Sequence, residues 1–292
     1  MFNSKFDRRF KWVNRIVLLL LVVITILPLA YVLLASITDP TVLMTKGVSL
    51  NPNDWSGQGY QRIFKDSAII RGFINSIFYA TSFSVLTVFI TMITAYPLSK
   101  KNLVGRRGIM NYFIVTMFIG GGLVPTYLLI KDLNMLNTVW AIIIPGSVNV
   151  WNIILARTYF AGIPEELSEA AKMDGANDIQ VFFKIMLPLA KPIMFVLFLY
   201  AFVGQWNSYF DAMIYLKDPA LEPLQLVLRK ILIQNQPSSD MIGSQVQMAE
   251  LKRIAELLKY ATIVISSLPL LVMYPFFQKY FNKGVMLGSL KG

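Results

Sequence analysis

The 292-residue sequence contains neither cysteine nor histidine. Disulfide scaffolds, thiolate metal sites, cysteine nucleophiles and histidine-based catalysis are therefore excluded. Charged residues are also scarce at 15%, whereas 55% of the residues are hydrophobic and the mean hydropathy is +0.57. Soluble domains are usually less hydrophobic and more highly charged than this chain, so we expect it to lie in a lipid bilayer.

Long charge-free runs dominate the sequence. A helix needs about 20 mostly apolar residues to cross the hydrocarbon core, because each residue advances only about 1.5 Å. The first run is too long for a signal-peptide core and has no obvious cleavage site, so we interpret it as a span. We predict an all-α, polytopic membrane protein with six transmembrane helices: Ile16 to Thr38, Gly72 to Ser99, Gly108 to Ile130, Leu133 to Ala156, Pro192 to Phe210 and Tyr260 to Gln278.

The basic residues indicate the orientation of these spans, because Lys and Arg are retained on the cytoplasmic side of short loops. Placing the N-terminus inside makes residues 1–15, 99–109, 157–191 and 279–292 cytoplasmic. These segments hold 16 of the 27 basic residues but only 6 of the 16 acidic ones. The net charge of +11 therefore indicates topology rather than nucleic-acid binding. We predict that both termini are cytoplasmic.

The predicted cytoplasmic loop 157–191 reads as two short helices joined by a turn. Pro164 suits a first helical position, and Gly175 suits the left-handed residue that follows a helix. Asn177 and Gln180 resemble a capping box that opens the second helix. An amphipathic hairpin lying on the membrane surface or packed under the helix bundle would satisfy this pattern equally well.

The spacing within the loop is more specific. Glu169-Ala170-Ala171 is followed at fixed intervals by Gly175, Ile185 and Leu187-Pro188. At all seven positions this pattern resembles the signature of the permease subunits of ABC importers. The resemblance implies a type I importer permease fold, with one N-terminal helix before a five-helix core. The implied division of the chain is a cytoplasmic segment 1–15, a first span and external loop 16–71, a permease core 72–278 and a cytoplasmic tail 279–292.

In the family that this loop resembles, the Glu-Ala-Ala helix couples the permease to an ATPase subunit. The resemblance implies a polar or ionic contact from Glu169, close approach at Ala170 and Ala171, and a sharp bend at Gly175. The implied coupling residues are Glu169, Ala170, Ala171, Asp174, Gly175, Ile185, Leu187 and Pro188.

The chain lacks the Gly-x-x-x-x-Gly-Lys-Ser/Thr phosphate loop. We therefore expect no cofactor in this chain and expect ATP and Mg²⁺ on two partner ATPase subunits. Gly120-Gly121-Gly122 lies inside the third predicted span and has no accompanying lysine. Close helix packing or a flexible point near the pore explains it better than a phosphate cradle.

The resemblance extends over nearly the whole chain to carbohydrate-uptake permeases. It is carried by Ile26-Leu27-Pro28-Leu29, Asn75-Ser76, Ala95-Tyr96-Pro97-Leu98-Ser99, Val124-Pro125-Thr126-Tyr127 and Gln205-Trp206-Asn207. The ending Tyr280 to Gly292 resembles the branch for oligosaccharides or polysaccharide fragments. Implied partners are a second permease subunit and an extracytoplasmic sugar-binding protein, which we expect to contact residues 217–259. The helical pattern from Gln245 to Leu258 could equally extend the sixth span.

Candidate residues for the substrate path combine aromatic rings with amides and a carboxylate, the groups that sugars stack on and bond to. One set is Trp206, Asn207, Tyr209 and Asp211, and a second set is Asn149, Trp151 and Asn152. The aromatic residues could instead form an interfacial belt, and the Asn side chains could only join helices.

Other functions fit the sequence less well. The six spans contain no carboxylate, which argues against a secondary transporter with a buried ion site. An importer of a non-sugar solute is the nearer alternative. No catalytic dyad or metal-ligand cluster appears within the spans, so an intramembrane enzyme is not expected.

Overall fold

The computed structural model describes residues 5–234 and 245–289. Its α-helices in chain order are α1 (Lys5–Ile37), α2 (Pro40–Lys46), α3 (Gln58–Lys65), α4 (Ser67–Ser99), α5 (Arg106–Phe118), α6 (Leu123–Asp132), α7 (Trp140–Ile143), α8 (Val150–Ala161), α9 (Glu166–Met173), α10 (Asp178–Val181), α11 (Leu187–Leu189), α12 (Lys191–Trp206), α13 (Phe210–Tyr215), α14 (Leu224–Gln234) and α15 (Gln245–Ser289). Two 3₁₀ turns, Pro52–Asp54 and Pro219–Leu221, and a π-helical turn, Phe182–Met186, complete the helical segments. The prediction of an all-α fold is confirmed for the described residues.

Three uninterrupted segments are long and apolar enough to cross a membrane: Arg9–Ile37, Ser67–Ser99 and Leu258–Gln278. Two further candidates are sharply bent pairs, α5 with α6 at 112° and Asp178–Leu189 with α12 at 74°. The described residues thus supply three to five candidate spans by length and composition. The prediction of six transmembrane helices is not confirmed by this test.

The third predicted span, Gly108 to Ile130, is two helices rather than one. α5 ends at Phe118, and Gly122 precedes α6 with φ +82°, a left-handed conformation open mainly to glycine. A Cβ placed on Gly120 or Gly122 would meet nothing within 4 Å, so close packing inside this chain does not explain these glycines. The triple glycine is a helix break.

The fourth predicted span, Leu133 to Ala156, is also interrupted. α7 covers only four residues, and a turn containing Pro145 and Gly146 separates it from α8. Proline lacks the N–H that would continue the helix, and Gly146 adopts φ +77°. The prediction of one continuous helix here is wrong, because counting uncharged residues does not detect backbone breaks.

At the C-terminal end, the sequence pattern from Gln245 to Leu258 belongs to α15, which runs without interruption from Gln245 to Ser289. The interpretation as an extension of the last span is therefore confirmed. The proposed tail 279–292 continues the same helix as far as Ser289.

The chain forms two compact units, Met1–Ser67 with Leu228–Leu268, and Ala68–Val227 with Pro269–Gly292. In the first unit, the Tyr31 and Tyr260 rings meet edge to face at 6.0 Å, and Ser36 Oγ shares a 2.7 Å hydrogen bond with the Tyr60 hydroxyl. No residue of the most apolar window of α1 is buried. Lipid or another subunit must therefore cover this helix.

Among the described residues of the second unit, two hydrophobic clusters lie along α4, a helix of 33 residues and about 50 Å. The cluster toward its C-terminal end joins Met92, Ala95 and Leu98 to residues of α8 and of segment 181–190. The other cluster packs Tyr79 with α7, Tyr215 and Leu226. α4 therefore links the packing around the loop 157–191 to the packing around residues 215–226.

Side chains near the start of α4 hold the turn at residues 219–224. The Asn75 amide donates to the carbonyls of Ala220 and Glu222, and the Leu224 N–H donates to Ser76 Oγ at 2.8 Å. A Cβ on Gly72 would approach Leu224 backbone atoms to 3.2 Å. The Asn75-Ser76 pair, noticed in the sequence only as a resemblance, thus has a structural role.

Candidate coupling loop and substrate path

The end of α9 is a Schellman turn centred on Gly175. Gly175 has φ +85°, its N–H donates to the Lys172 carbonyl, and the Ala176 N–H donates to the Ala171 carbonyl, both at 3.0 Å. These bonds satisfy carbonyls that the helix end would leave unpaired. The predicted left-handed residue is confirmed. The prediction for Pro164 is wrong, because α9 begins at Glu166.

A capping box opens the next helix, as the sequence predicts. The Gln180 N–H donates to Asn177 Oδ1 at 2.8 Å, and the Asn177 N–H donates to Gln180 Oε1 at 3.0 Å. Lys172 Nζ lies 2.7 Å from Asp178 Oδ1 across the turn. The two helices therefore meet at a defined angle.

The Lys172–Asp178 pair adds little free energy to folding at neutral pH, because both side chains are exposed. Its hydrogen bond raises the pKa of the Lys172 ammonium and lowers the pKa of the Asp178 carboxyl. The contribution of Asp178 is present above its ordinary pKa and is lost as pH falls through the lowered value. That of Lys172 is lost only as pH rises through the raised value, so the pair is intact at physiological pH.

One face of α9 is seated on the end of α4 and its following loop. Ser168 and Ala171 are buried, and Lys100 Nζ donates to Ser168 Oγ at 3.1 Å. Ala171 belongs to the same hydrophobic cluster as Leu98. Only 9% of Ala171 is exposed, so within this chain the residue packs against α4, and its close approach to an ATPase stays a prediction.

The second helical segment of the loop, residues 178–189, packs against α4 and α8 through aromatic rings. The Tyr96 ring packs between Phe160, at 5.5 Å, and Phe182, at 5.1 Å between ring centroids. Val181, Phe182 and Met186 are buried, whereas Ile185 and Leu187 are half-buried against the same cluster and Pro188 is exposed. Within this chain, Ile185 and Leu187 of the signature therefore serve packing.

The opposite face of α9 is open to solvent. It carries Glu166, Glu169, Ala170 and Met173, which are spaced i, i+3, i+4 and i+7 as on one side of a helix. Met173 is 88% exposed, a high value for a large apolar side chain at a helix end. Met173 is not among the coupling residues predicted from the sequence, although its helical spacing from Glu169 and Ala170 is visible there. We call these four residues the docking face, after the role proposed for them below.

Trp206 is a core residue in this structure. Its side chain is 1% exposed, with its ring stacked on Phe202 at 6.1 Å and edge to face with Phe73 at 5.6 Å. Neither a sugar-stacking position nor an interfacial belt agrees with this burial. The Gln205-Trp206-Asn207 pattern therefore marks helix packing at the end of α12.

The other members of this set lie nearer the surface. Asn207 is exposed and donates from Nδ2 to the Val203 carbonyl at 2.8 Å, and Tyr209 is 38% exposed. Asp211 lies in the first turn of α13. Partial desolvation raises the pKa of its carboxyl, although the residue remains exposed overall. Asp211 is thus a carboxylate held in a less polar setting than free solvent.

The second predicted set lies at the start of α8. Asn149 caps this helix by accepting the Asn152 N–H at Oδ1, at 3.0 Å. Asn152 is buried, whereas Trp151 is 58% exposed. Of this set, only Trp151 offers an open aromatic face.

Several long apolar helices, two bent helix pairs of sufficient length and a helical loop packed on one face are consistent with a polytopic membrane protein. Residues 98–287 match the family described as "Binding-protein-dependent transport system inner membrane component". The match covers more than half of the chain, so the protein belongs to this family. It is a multi-pass inner-membrane component of a transport system.

Two relatives and one solved structure are similar to this chain over nearly its full length. The chain is 38% identical over 276 residues to the polygalacturonan/rhamnogalacturonan transport system permease protein YtcP of Bacillus subtilis strain 168, covering 94% of this chain and 96% of that protein. Protein LplC of the same strain is 37% identical over 292 residues, covering 100% and 98%. A chain of the crystal structure of a bacterial ABC transporter for the acidic polysaccharide alginate aligns with a TM-score of 0.84 and 33% identity, covering 96% of this chain and 99% of that one.

Proposed function

We propose that this chain is a translocating subunit of an ATP-driven importer that takes up oligosaccharides or polysaccharide fragments. The observation that carries the proposal is the loop 157–191, whose inner face is packed on α4 while its docking face is left open. Such a loop can transmit movement of an attached protein to the spans. The polysaccharides named for the relative and for the aligned transporter support the class of substrate.

The proposed assembly contains a second permease subunit, two ATPase subunits and an extracytoplasmic binding protein. The ATPases bind ATP and Mg²⁺, whose hydrolysis supplies the free energy, and this chain is not itself catalytic. The unburied apolar surface of α1 supports an assembly in which lipid and a partner subunit cover it. Coupling contacts are assigned to Glu169, Ala170, Asp174 and Gly175, to which Met173 is added.

We further propose six membrane crossings, with residues 133–156 crossing as a broken segment, and both termini in the cytoplasm. Single cysteines test this topology, because the chain has none of its own. Asn102→Cys should react with an impermeant thiol reagent only from the cytoplasmic side, and Asn53→Cys only from outside. Both positions are exposed. Labelling of Asn102→Cys from outside would overturn the orientation.

Asn177, in the loop 157–191, is a poor labelling position, because its side chain caps α10 and its replacement would disturb that loop. Ser238, in the segment 217–259 that we expect on the outside of the membrane, lies outside the described residues. Asn53 serves instead, in the segment between α2 and α3.

For the substrate path, we propose Trp151 and Asp211 as the groups that contact sugar. Trp151→Ala or Asp211→Asn should reduce sugar uptake about tenfold, the loss of one stacking or hydrogen-bonding contact, without loss of the ATPase subunits. Trp140→Ala is the matched control, since Trp140 is equally exposed at 56%. Equal effects at Trp140 and Trp151 would favour the interfacial belt.

Trp206→Ala should behave differently from either exposed variant. Removing a buried Trp leaves a cavity and costs about 3–5 kcal/mol of stability. We therefore expect less assembled transporter in the membrane, with normal uptake per assembled complex. Uptake measured against the amount of complex separates the two kinds of effect.

A further inference from the structure

A cavity of about 750 Å³ lies between the α4–α5 loop, the first turns of α5 and the side of α8. Four of its lining side chains are basic, Lys101, Arg106, Arg107 and Arg157, and none is acidic. The volume is in the range of ordinary ligand pockets. The positive-inside rule requires basic residues on this side of the membrane but does not require them to converge on one cavity.

One of these four charges, that of Arg157, is held in place by the protein, whereas Lys101 and Arg107 are exposed. Arg157 is half-buried, and its Nε donates to the Leu98 carbonyl at 3.1 Å, which uses one of five donors. Burial, and then the charge of Arg106, lower the pKa of the Arg157 guanidinium. In the ranges 5–234 and 245–289, none of the four residues has a carboxylate within 4.0 Å. An anion in the cavity would relieve this repulsion.

The surface above the cavity is apolar. α5 leads away from it with Ile114, Met117 and Phe118 on the side of the helix that lines the cavity, exposed by 38%, 43% and 83%. The third predicted span begins here, at Gly108. A bound anion with an attached hydrocarbon tail would thus have charge neutralised at the cavity and apolar surface covered along α5.

We propose that this cavity binds the phosphate headgroup of an anionic glycerophospholipid, with its acyl chains along the exposed side of α5. The proposal rests on the cytoplasmic location of residues 99–109 but not on the transported solute. Lys101 in the cavity directly follows Lys100, which bonds the docking helix α9 at Ser168. The lipid therefore stabilises the segment on which the coupling loop is seated.

The test uses the assembled transporter, stripped of lipid in neutral detergent and titrated with phosphatidylglycerol. Thermal stability and native mass spectrometry report binding. Arg106→Gln with Arg107→Gln keeps the Arg157 bond to Leu98 and should weaken phosphatidylglycerol binding about thirtyfold, which corresponds to about 2 kcal/mol. Lys184→Gln with Lys191→Gln removes the same charge on the same side, outside this cavity, and should leave binding within about twofold of the unmodified protein.

Three outcomes would overturn the proposal. Equal weakening in both double variants means that only net charge attracts the lipid. Stabilisation by inorganic phosphate or glycerol 3-phosphate as strong as that by phosphatidylglycerol means that the ligand is a soluble anion. Loss of the ATPase subunits from the Arg106/Arg107 variant with unchanged phosphatidylglycerol binding means that the cavity is a protein contact. Phosphatidylcholine, which carries no net charge, should fail to stabilise any of the proteins.

Discussion

Gly175→Val is expected to abolish coupled sugar uptake while leaving the spans inserted. Gly175 holds φ +85°, which a β-branched residue adopts only at a cost of about 1–3 kcal/mol. No atom lies within 4 Å of the Cβ position, so the cost is conformational rather than steric. The two Schellman hydrogen bonds depend on this conformation, and the angle between α9 and α10 should change without them. Uptake and ATPase stoichiometry should both be measured in the purified complex.

A second substitution at the same position tests whether the backbone conformation of Gly175, rather than side-chain bulk, is the cause. Asn tolerates the left-handed region better than any β-branched residue, so Gly175→Asn adds a side chain without forcing the turn open. We expect Gly175→Asn to retain most of the uptake. If Asn and Val are equally damaging, side-chain bulk at a docked surface is the cause. If both transport normally, the loop is a membrane-surface hairpin and the coupling proposal fails.

Met173→Glu is expected to detach the ATPase subunits or to leave ATP hydrolysis uncoupled from transport. Met173 is 88% exposed, so the change costs this chain little stability. In a docked complex, however, it would bury an unpaired carboxylate, which costs several kcal/mol. Glu169→Lys, on the same face, should act in the same direction by placing the wrong charge at the contact. Co-purification of the ATPase with each variant, at low and high salt, gives the measurement.

Val104→Glu is the matched control for the docking face. Val104 is 93% exposed and lies in another predicted cytoplasmic loop, so it introduces the same carboxylate on the same side. ATPase retention should be normal in this variant. Retention lost at Val104 and kept at Met173 would move the docking surface from α9 to the α4–α5 loop.

The turns of the coupling loop were predictable because they depend on neighbours in sequence. A helix end needs partners for its last carbonyls within about five residues, and Gly175 and Ala176 supply them. The reciprocal bonds of Asn177 and Gln180 span three residues. Local chemistry of this kind can be read without knowing the rest of the fold.

The helix breaks were less accessible to sequence reasoning. Apolar content sets whether a segment can enter the bilayer, and it is equally high on both sides of Gly122 and of Pro145. Whether the backbone bends there depends on what satisfies the freed polar groups. Contacts of this kind can join residues far apart in sequence: Asn137 Oδ1, between the two breaks, accepts the N–H groups of Lys217 and Asp218, 80 and 81 residues away.

By itself, the sequence determined that this chain enters a membrane, that its helices carry no thiol or imidazole chemistry, and that residues 169–188 form a capped helical loop. Those features depend on composition and on contacts between near neighbours. Only the tertiary structure decided that Ala171 and Trp206 are buried while the Met173 side chain is exposed to solvent. A side chain's exposure depends on segments distant in the chain, here α4 under α9 and Phe73 against Trp206, and no local pattern specifies which face they cover.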